Sequence, residues 1–453
     1  MSTLIRNLPD TPVGRAVDWL LDNSGPGDCD VAAVEAHFAP SFVSQLGAEK
    51  LLELMKSSPD WMRTAEVEVL APSSFSMQVA LIVQGDARAV LDAAVEEEEP
   101  HRITSALVRP PGAGLAEIIE KAEPVTGALA EAVDERFDPI RSLLDAGGVV
   151  VGISRGGARE VFPLGADANL RYEIGSITKT FTATLLADMS LRGEVALGDP
   201  VRTYLPDGVG VPREGDREIT LEDLATHSSG LPRVPPNMME GSDPSNPYAH
   251  IDEARLYEEL AATTLDFPIG SKSAYSNFGF GLLGHVLARA AGRQLADLMR
   301  ERITAPLGMD RTEFAPTGDD LAQGFMGKDA GVRWTGEMVY GAGCGFESTI
   351  DDMLTYGEAN ADPESTPIAA AINEAHRERL RMDDLTAVAL GWVRITLKDG
   401  TVAFFHNGGT GSFSSSLVCH PPTKTVVAAL CNAAGTLLDA ATIALTIGLA
   451  AGS

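Results

Sequence analysis

The sequence predicts an α+β protein built in two parts. Residues 10 to about 58 carry apolar side chains at helical spacing, and from Ala65 the period changes to two across four short runs. Further along, strand-like runs stand at both ends of a long helical middle, so a second sheet must pair early strands with late ones. The chain is 453 residues and 47.7 kDa, enough for two or three domains. Its 44% apolar and 22% charged residues are those of an ordinary globular protein.

In order, Thr11 before Pro12 reads as a helix cap followed by proline in the first turn, with Val13, Ala16, Trp19 and Leu20 on one face. Asp30 caps a second helix, and residues 48–55 supply a third. AEVEVLA, FSMQVALIV, ARAVLDAAV and HRITSALV then read as strands, separated by Pro-Ser-Ser, Gly-Asp and an acidic Glu96–Glu99 turn in solvent. Residues 110–114, Pro-Pro-Gly-Ala-Gly, mark a boundary. The expected division is a small α+β domain of unknown role over 1–110, a linker and helix over 111–130, and a second domain over 131–453. In element order the first domain resembles the ketosteroid-isomerase-like cone fold. In the second, residues 147–165 read as a hairpin around Arg-Gly-Gly, and helices and loops fill about 176–385. LGWVRITL, TVAFFH, SSSLVCHP and TVVAALCN return as strands before a closing helix.

Charge and composition exclude whole classes of function. Thirty-five basic against sixty-four acidic residues leave a net charge of −29, which argues against a nucleic-acid or anionic-membrane partner, since either needs a basic face. The longest apolar stretch, 440–452, is too short to span a bilayer. Cys29, Cys344, Cys419 and Cys431 form no C-x-x-C pair, and the histidines show no H-E-x-x-H spacing. No metal and no cofactor are expected. The first residues carry charges at positions 6, 10, 15 and 18 and no apolar signal core, so a cytoplasmic protein is expected. The sequence leaves a homo-oligomer open.

Three motifs in the second domain carry chemistry. In Ser176-Ile177-Thr178-Lys179, Ser at a helix start puts Lys three residues on upon the same face. A serine hydroxyl is a poor nucleophile until a base takes its proton, and a desolvated lysine can be neutral enough to help. In Tyr275-Ser276-Asn277, the tyrosine beside a buried cation can hold phenolate character and act as base or relay. Asn277 offers an amide to a lysine head and a substrate carbonyl, or caps the helix that follows. In His406-Asn407-Gly408-Gly409-Thr410-Gly411, Gly408 and Gly409 let a substrate lie along the strand edge, and the Gly409 N–H can face a developing oxyanion.

This order of S-x-x-K, Y-x-N and a basic residue followed by x-Gly resembles the serine β-lactamase and penicillin-binding-protein superfamily. More narrowly it is similar to the branch of class C β-lactamases, DD-carboxypeptidases, D-aminopeptidases and family VIII carboxylesterases. GDPVRTYLPD, ITLEDLATHSSGLP, ITAPLGMDRTEF and GAGCGFESTIDDMLTYG resemble the family's connecting segments, and the likeness covers about 130–453. With its additional N-terminal domain the plan resembles β-lactamase-like proteins associated with clavulanic acid pathways. The resemblance implies a β-lactamase/transpeptidase-like fold, an antiparallel sheet flanked by helices plus a helical lobe. It implies Ser176 as the acylated nucleophile, Lys179 as its proton partner and Tyr275 as the base. Asn277 would bind the substrate carbonyl, and the N–H groups of Ser176 and Gly409 would form the oxyanion hole.

His406 stands where class C β-lactamases have Lys, and an imidazole is only partly charged at neutral pH. The expected activity is therefore a serine hydrolase acting on small esters, with weak β-lactam turnover. The rivals are a biosynthetic acyltransferase, a D-amino-acid amidase or peptidase, and a β-lactam-binding module without turnover. The substrate is a small-molecule ester, amide or β-lactam. Residues 279–284 match G-x-G-x-x-G, but no apolar strand precedes them, so helix packing rather than dinucleotide binding is expected. His227 is expected to be a structural loop residue, and Trp392 either walls the pocket or packs in the core.

Overall fold

The change of period at Ala65 is where helices give way to a sheet. The structure, a computed structural model, describes residues 8–452 except 26, 41, 44–46, 59–60, 73–75, 84–85, 97–98, 110–114, 239, 244 and 437. Two compact units emerge, one of residues 1–117 with 236–240, the other of 118–235 with 241–453. The boundary expected at residues 110–114 and the middle of the acidic turn, Glu97 and Glu98, lie outside the described residues.

In the first unit, Thr11 Oγ1 accepts the Gly14 N–H at 3.1 Å and opens the helix Pro12–Asp22. Val13, Val17, Leu20 and Leu21 are buried, whereas Ala16 and Trp19 are only partly covered, so the buried stripe is centred nearer Val17 than the sequence implied. Asp30 caps Val31–His37, accepting from Ala33 N at 2.8 Å, and a third helix is Ala48–Ser57. Strands Glu66–Pro72, Ser76–Val83, Asp86–Val95 and Ile103–Arg109 follow as an antiparallel meander in chain order. Alternate residues Met77, Val79 and Leu81, then Leu91, Ala93 and Val95, are buried in the same core cluster as Val17, Leu21 and Val34.

The second unit is organised by an eight-stranded antiparallel sheet. Its order is Leu380–Arg381, Thr386–Val388, Val393–Thr396, Val402–Gly409, Ser414–His420, Thr425–Cys431, Val149–Arg155 and Ala158–Leu164. The early hairpin joins the last strand from Thr425↔Arg155 to Cys431↔Val149. Ser414–His420 and Thr425–Cys431 are buried at every position because helices cover both faces. Val427, Ala429 and Cys431 pack with residues of Leu129–Arg141 and Asp439–Ala451. On the other face a Cβ at Gly357, in the helix Ile350–Ala361, would come 2.3 Å from Val426. Leu380–Arg381 and Thr386–Val388 were not foreseen, since two or three residues are too few to show a period.

A further helix, Thr178–Leu191, is buried on all sides from Thr178 to Ala187 and runs into the interior. It is fed by Tyr172–Glu173, the edge strand of a small sheet with Phe346–Ser348 and Glu313–Phe314. Among the described residues no helix is long and apolar enough to cross a membrane.

Every strand of the large sheet comes from residues 149–431, and the core beneath it from 132–449. A chain starting at residue 115 is therefore expected to unfold cooperatively on its own, read by circular dichroism during thermal melting. A broad, non-cooperative melt would show that the sheet depends on the first unit.

Candidate active site

The site is built on a backbone turn that only glycines permit. Gly175 takes φ +49°, and a Cβ there would lie 2.6 Å from the Gly409 backbone nitrogen. The turn thus presses against the third motif and presents Ser176 one step later. Thr178 Oγ1 donates to Gly175 O at 2.6 Å, and the interior helix follows.

Lys179 is fully buried one turn on. Its Nζ lies 3.0 Å from Ser176 Oγ and donates to Asn277 Oδ1 at 2.8 Å and to Ala342 O at 2.6 Å. The head sits 4.8 Å from the Tyr275 ring centroid and 5.8 Å from that of Phe280. Burial, with a smaller push from Arg233, holds the amine well below the usual lysine range. With two carbonyl acceptors taking two N–H groups, the neutral amine keeps one lone pair, and the hydroxyl of Ser176 is the remaining neighbour.

The second motif opens the helix Asn277–Ala291, and Ser276 is its cap, accepting from Gly279 N at 2.8 Å. The capping role considered for Asn277 therefore falls to its neighbour. Asn277 is free to hold Lys179 with Oδ1 and to donate from Nδ2 to Tyr248 Oη at 3.2 Å. Burial pushes the Tyr275 phenol up to about 12, with the Ser176 hydroxyl drawing it partly back. Tyr275 thus rests as a neutral phenol, which corrects the expected phenolate character and leaves it a proton relay. His227 stacks behind it with ring centroids 4.6 Å apart and accepts the Ser276 N–H on Nδ1 at 3.1 Å, holding the motif in place.

In the third motif the structure corrects the expectation for His406. Its ring is buried, Nδ1 lies 2.6 Å from Asn407 O, and burial with the nearby Lys179 head lowers its pKa to about 3. The imidazole is neutral, with its proton on Nδ1 donated to that carbonyl, so it brings no partial charge to the cleft. A Cβ on Gly408 would come 2.0 Å from Ile174 O, an oxygen that Ser415 Oγ reaches at 2.8 Å. Gly408 is required for this close approach, and a Cβ on Gly409 would meet only Phe413 O at 4.0 Å, which leaves the strand edge accessible there.

Several residues of the site escaped the sequence. Ala342 contributes only a backbone carbonyl, which leaves no side-chain signal. Tyr248 and Trp334, with ring centroids 5.5 Å apart, lie beside Asn277 and Gly411, where a Cβ would come 2.5 Å from Trp334 Nε1. Glu173, three residues before Ser176, is buried and accepts from Trp334 N at 3.0 Å and Thr410 Oγ1 at 2.9 Å, tying the third-motif loop to the nucleophile strand. Its cross-strand partner is Glu347, which pairs with Arg333 at 3.1 Å. Burial raises both carboxyls to about 7. A buried acid next to S-x-x-K was a signal available in the sequence.

Residues 279–284 lie inside the helix Asn277–Ala291, and a Cβ on Gly284 would meet Gly341 Cα at 2.8 Å. These glycines bring the helix against the turn that carries Ala342. Trp392 is a core residue, stacked 6.2 Å from Tyr356 and edge-on to Phe404. Among the described residues no group of three His, Cys, Asp or Glu side chains is placed to hold a metal, and the four cysteines are buried and unpaired.

A family model described as Beta-lactamase matches residues 134–452, the span that holds all three motifs. The chain belongs to the β-lactamase family. Residues 8–99 match a second model, described as the ORF 12 gene product N-terminal. This β-lactamase-family chain is 30% identical over 264 residues to the D-alanyl-D-alanine-carboxypeptidase/endopeptidase AmpH of Escherichia coli K12, covering 55% of this chain and 67% of that protein. It is 28% identical over 280 residues to a β-lactamase of Pseudomonas fluorescens, covering 58% of this chain and 74% of the relative. Among solved structures, the class C β-lactamase of Rhodobacter sphaeroides superposes with a TM-score of 0.60 at 26% identity, over 71% of this chain and 99% of that one.

The raised carboxyl of Glu347 links stability to pH. Its folded pKa lies above the unfolded value of 4.5, so its contribution is present below about pH 4.5 and is lost as pH rises toward 7. Glu347→Gln stays neutral throughout. The loss of stability between pH 5 and pH 8, measured by urea unfolding, is expected to shrink in this variant by about 2 kcal/mol. An unchanged difference would mean that the carboxyl is ionised across that range.

Proposed function

We propose that the second unit is a serine hydrolase that forms an acyl-enzyme on Ser176 and acts on small esters, with weak turnover of β-lactams. The observation that carries this reading is the Lys179 head, buried without a carboxylate, 3.0 Å from Ser176 Oγ. Lys179 takes the serine proton as Oγ attacks the acyl carbonyl. The N–H groups of Ser176 and Gly409 hold the developing oxyanion. Tyr275 gives its phenolic proton to the leaving alcohol and takes the serine proton from Lys179 in its place, and the same groups then activate the water that frees the acid. A neutral His406 offers no positive charge at the third-motif strand, where a lysine would meet a β-lactam carboxylate, and this supports esters over β-lactams. The names of the relatives make β-lactams and D-alanyl-terminated peptides the first comparison substrates. The helices and meander of the first unit support a ketosteroid-isomerase-like cone. A cytoplasmic location remains part of this reading.

Ser176→Ala is expected to abolish covalent labelling by a serine-directed phosphonate, read by intact-protein mass spectrometry, and to lower kcat at least about 10³-fold. Labelling at another residue with activity retained would refute the assignment.

Lys179→Arg puts a cation that does not deprotonate where the amine was neutral, so a comparable loss is expected even where the chain stays folded. If Lys179 and Tyr275 share one proton path, Lys179→Arg combined with Tyr275→Phe costs little more than either change alone, and clean additivity in log kcat/KM would place them in separate steps.

A further inference from the structure

The titratable side chains around the nucleophile are Lys179, Tyr275, His227, His406 and Arg233. Lys179 and His406 are neutral, and Arg233 is the fixed cation that acts on Lys179, Tyr275 and His227; among the described residues no carboxylate is among the groups that shift the other four. This stands out in a chain whose net charge is −29. Arg233 is the exposed member of the set, with its guanidinium carbon 5.0 Å from the Tyr275 ring centroid. Among the described residues it makes no ion pair, whereas Arg102, Arg171, Arg302 and Arg333 are all paired with acids.

Its placement is fixed by the backbone. Arg233 O accepts the N–H groups of Asn277 at 2.8 Å and Phe278 at 3.2 Å, and Ser276 Oγ donates to Pro232 O at 2.7 Å. The segment that carries the guanidinium is thereby clamped to the second motif, one aromatic ring away from Ser176. The fork of an arginine matches a carboxylate with two parallel hydrogen bonds. His406, the group that stands where a cation was expected, is neutral and buried.

We propose that Arg233 is the anion-binding residue of this cleft, and that the acyl donors it selects carry a carboxylate close to the scissile carbonyl. This rests on the reading of Ser176 as the acylated residue, and it narrows the substrate class to monoanionic esters and their amide counterparts. Recognition of the anion has moved from the third-motif strand to the loop ahead of the second motif.

Two measurements test it with 4-nitrophenyl hemiglutarate, a monoanion, and 4-nitrophenyl butyrate, which is neutral. In the full chain, the ratio of kcat/KM for the monoanion to that for the neutral ester is expected to fall about tenfold in Arg233→Ala and to be kept within about threefold in Arg233→Lys. In Ser176→Ala, which cannot turn over, calorimetry is expected to show a similar tenfold weakening of hemiglutarate binding when Arg233→Ala is added. An unchanged ratio, or equal hemiglutarate affinity with and without Arg233, would overturn the proposal while leaving the Ser176 chemistry intact. Failure of both esters to acylate the unaltered protein would overturn the hydrolase reading, and the calorimetric comparison would still decide the role of Arg233.

Discussion

A lysine buried without a counter-charge is the constraint on which the rest of this unit depends. The ammonium form would carry a desolvation cost of several kcal/mol with no carboxylate to offset it. The neutral amine is the form the interior tolerates, and it is also the form that can accept a proton. Much of the surrounding structure serves to keep water and acids away. The helix Thr178–Leu191 is enclosed on all sides from Thr178 to Ala187, Phe280 and Tyr275 face the amine, and its two remaining acceptors are uncharged carbonyls. Among the described residues no acid lies against Lys179, which in a chain with 64 acidic residues is a more demanding exclusion than in a neutral protein.

Backbone contact, rather than side-chain contact, sets how the three motifs meet. Gly175 against Gly409, Gly408 against Ile174 O, and Gly284 against Gly341 are approaches that any Cβ would block. Ser176 and the third-motif amides are therefore held at a separation fixed by main-chain atoms, which have few ways to adjust. Glu173 reinforces this from below by bonding both Thr410 and Trp334. The precision of the site comes from its being built on strands and helices rather than on free loops.

The sequence was most legible where periodicity or motif spacing acted over several residues. The meander of the first unit, the hairpin at 147–165 and its pairing with the late strands follow from alternation and from Gly156-Gly157, both at positive φ. Ser176, Lys179, Tyr275, Asn277, His406, Gly408 and Gly409 are brought together because each belongs to a short run whose neighbours also carry constraints. What could not be read depended on environment. The charge of His406 is decided by burial and by the Asn407 carbonyl, and the cap of the second helix passed to Ser276 because its hydroxyl reaches Gly279 N. Arg233 had no motif to mark it, and its role follows from which charges are absent around it.

The pairing of Arg155 with Thr425 spans 270 residues of chain. At a synthesis rate of roughly 5–20 residues per second, the apolar strand Val149–Arg155 waits about 15–50 s for its inner neighbour. Its other neighbour, Ala158–Leu164, is available at once through a two-glycine turn, so the strand leaves the ribosome with one edge satisfied and one open. Ser176 and the interior helix with Lys179 are made early in this interval, before the strand that packs on the Gly175 turn and supplies Gly409 exists. Translation thus completes the fold and the nucleophile's surroundings together, in the last tenth of the chain. Every side chain of Thr425–Cys431 is buried, so substitutions there act on how much folded protein a cell accumulates.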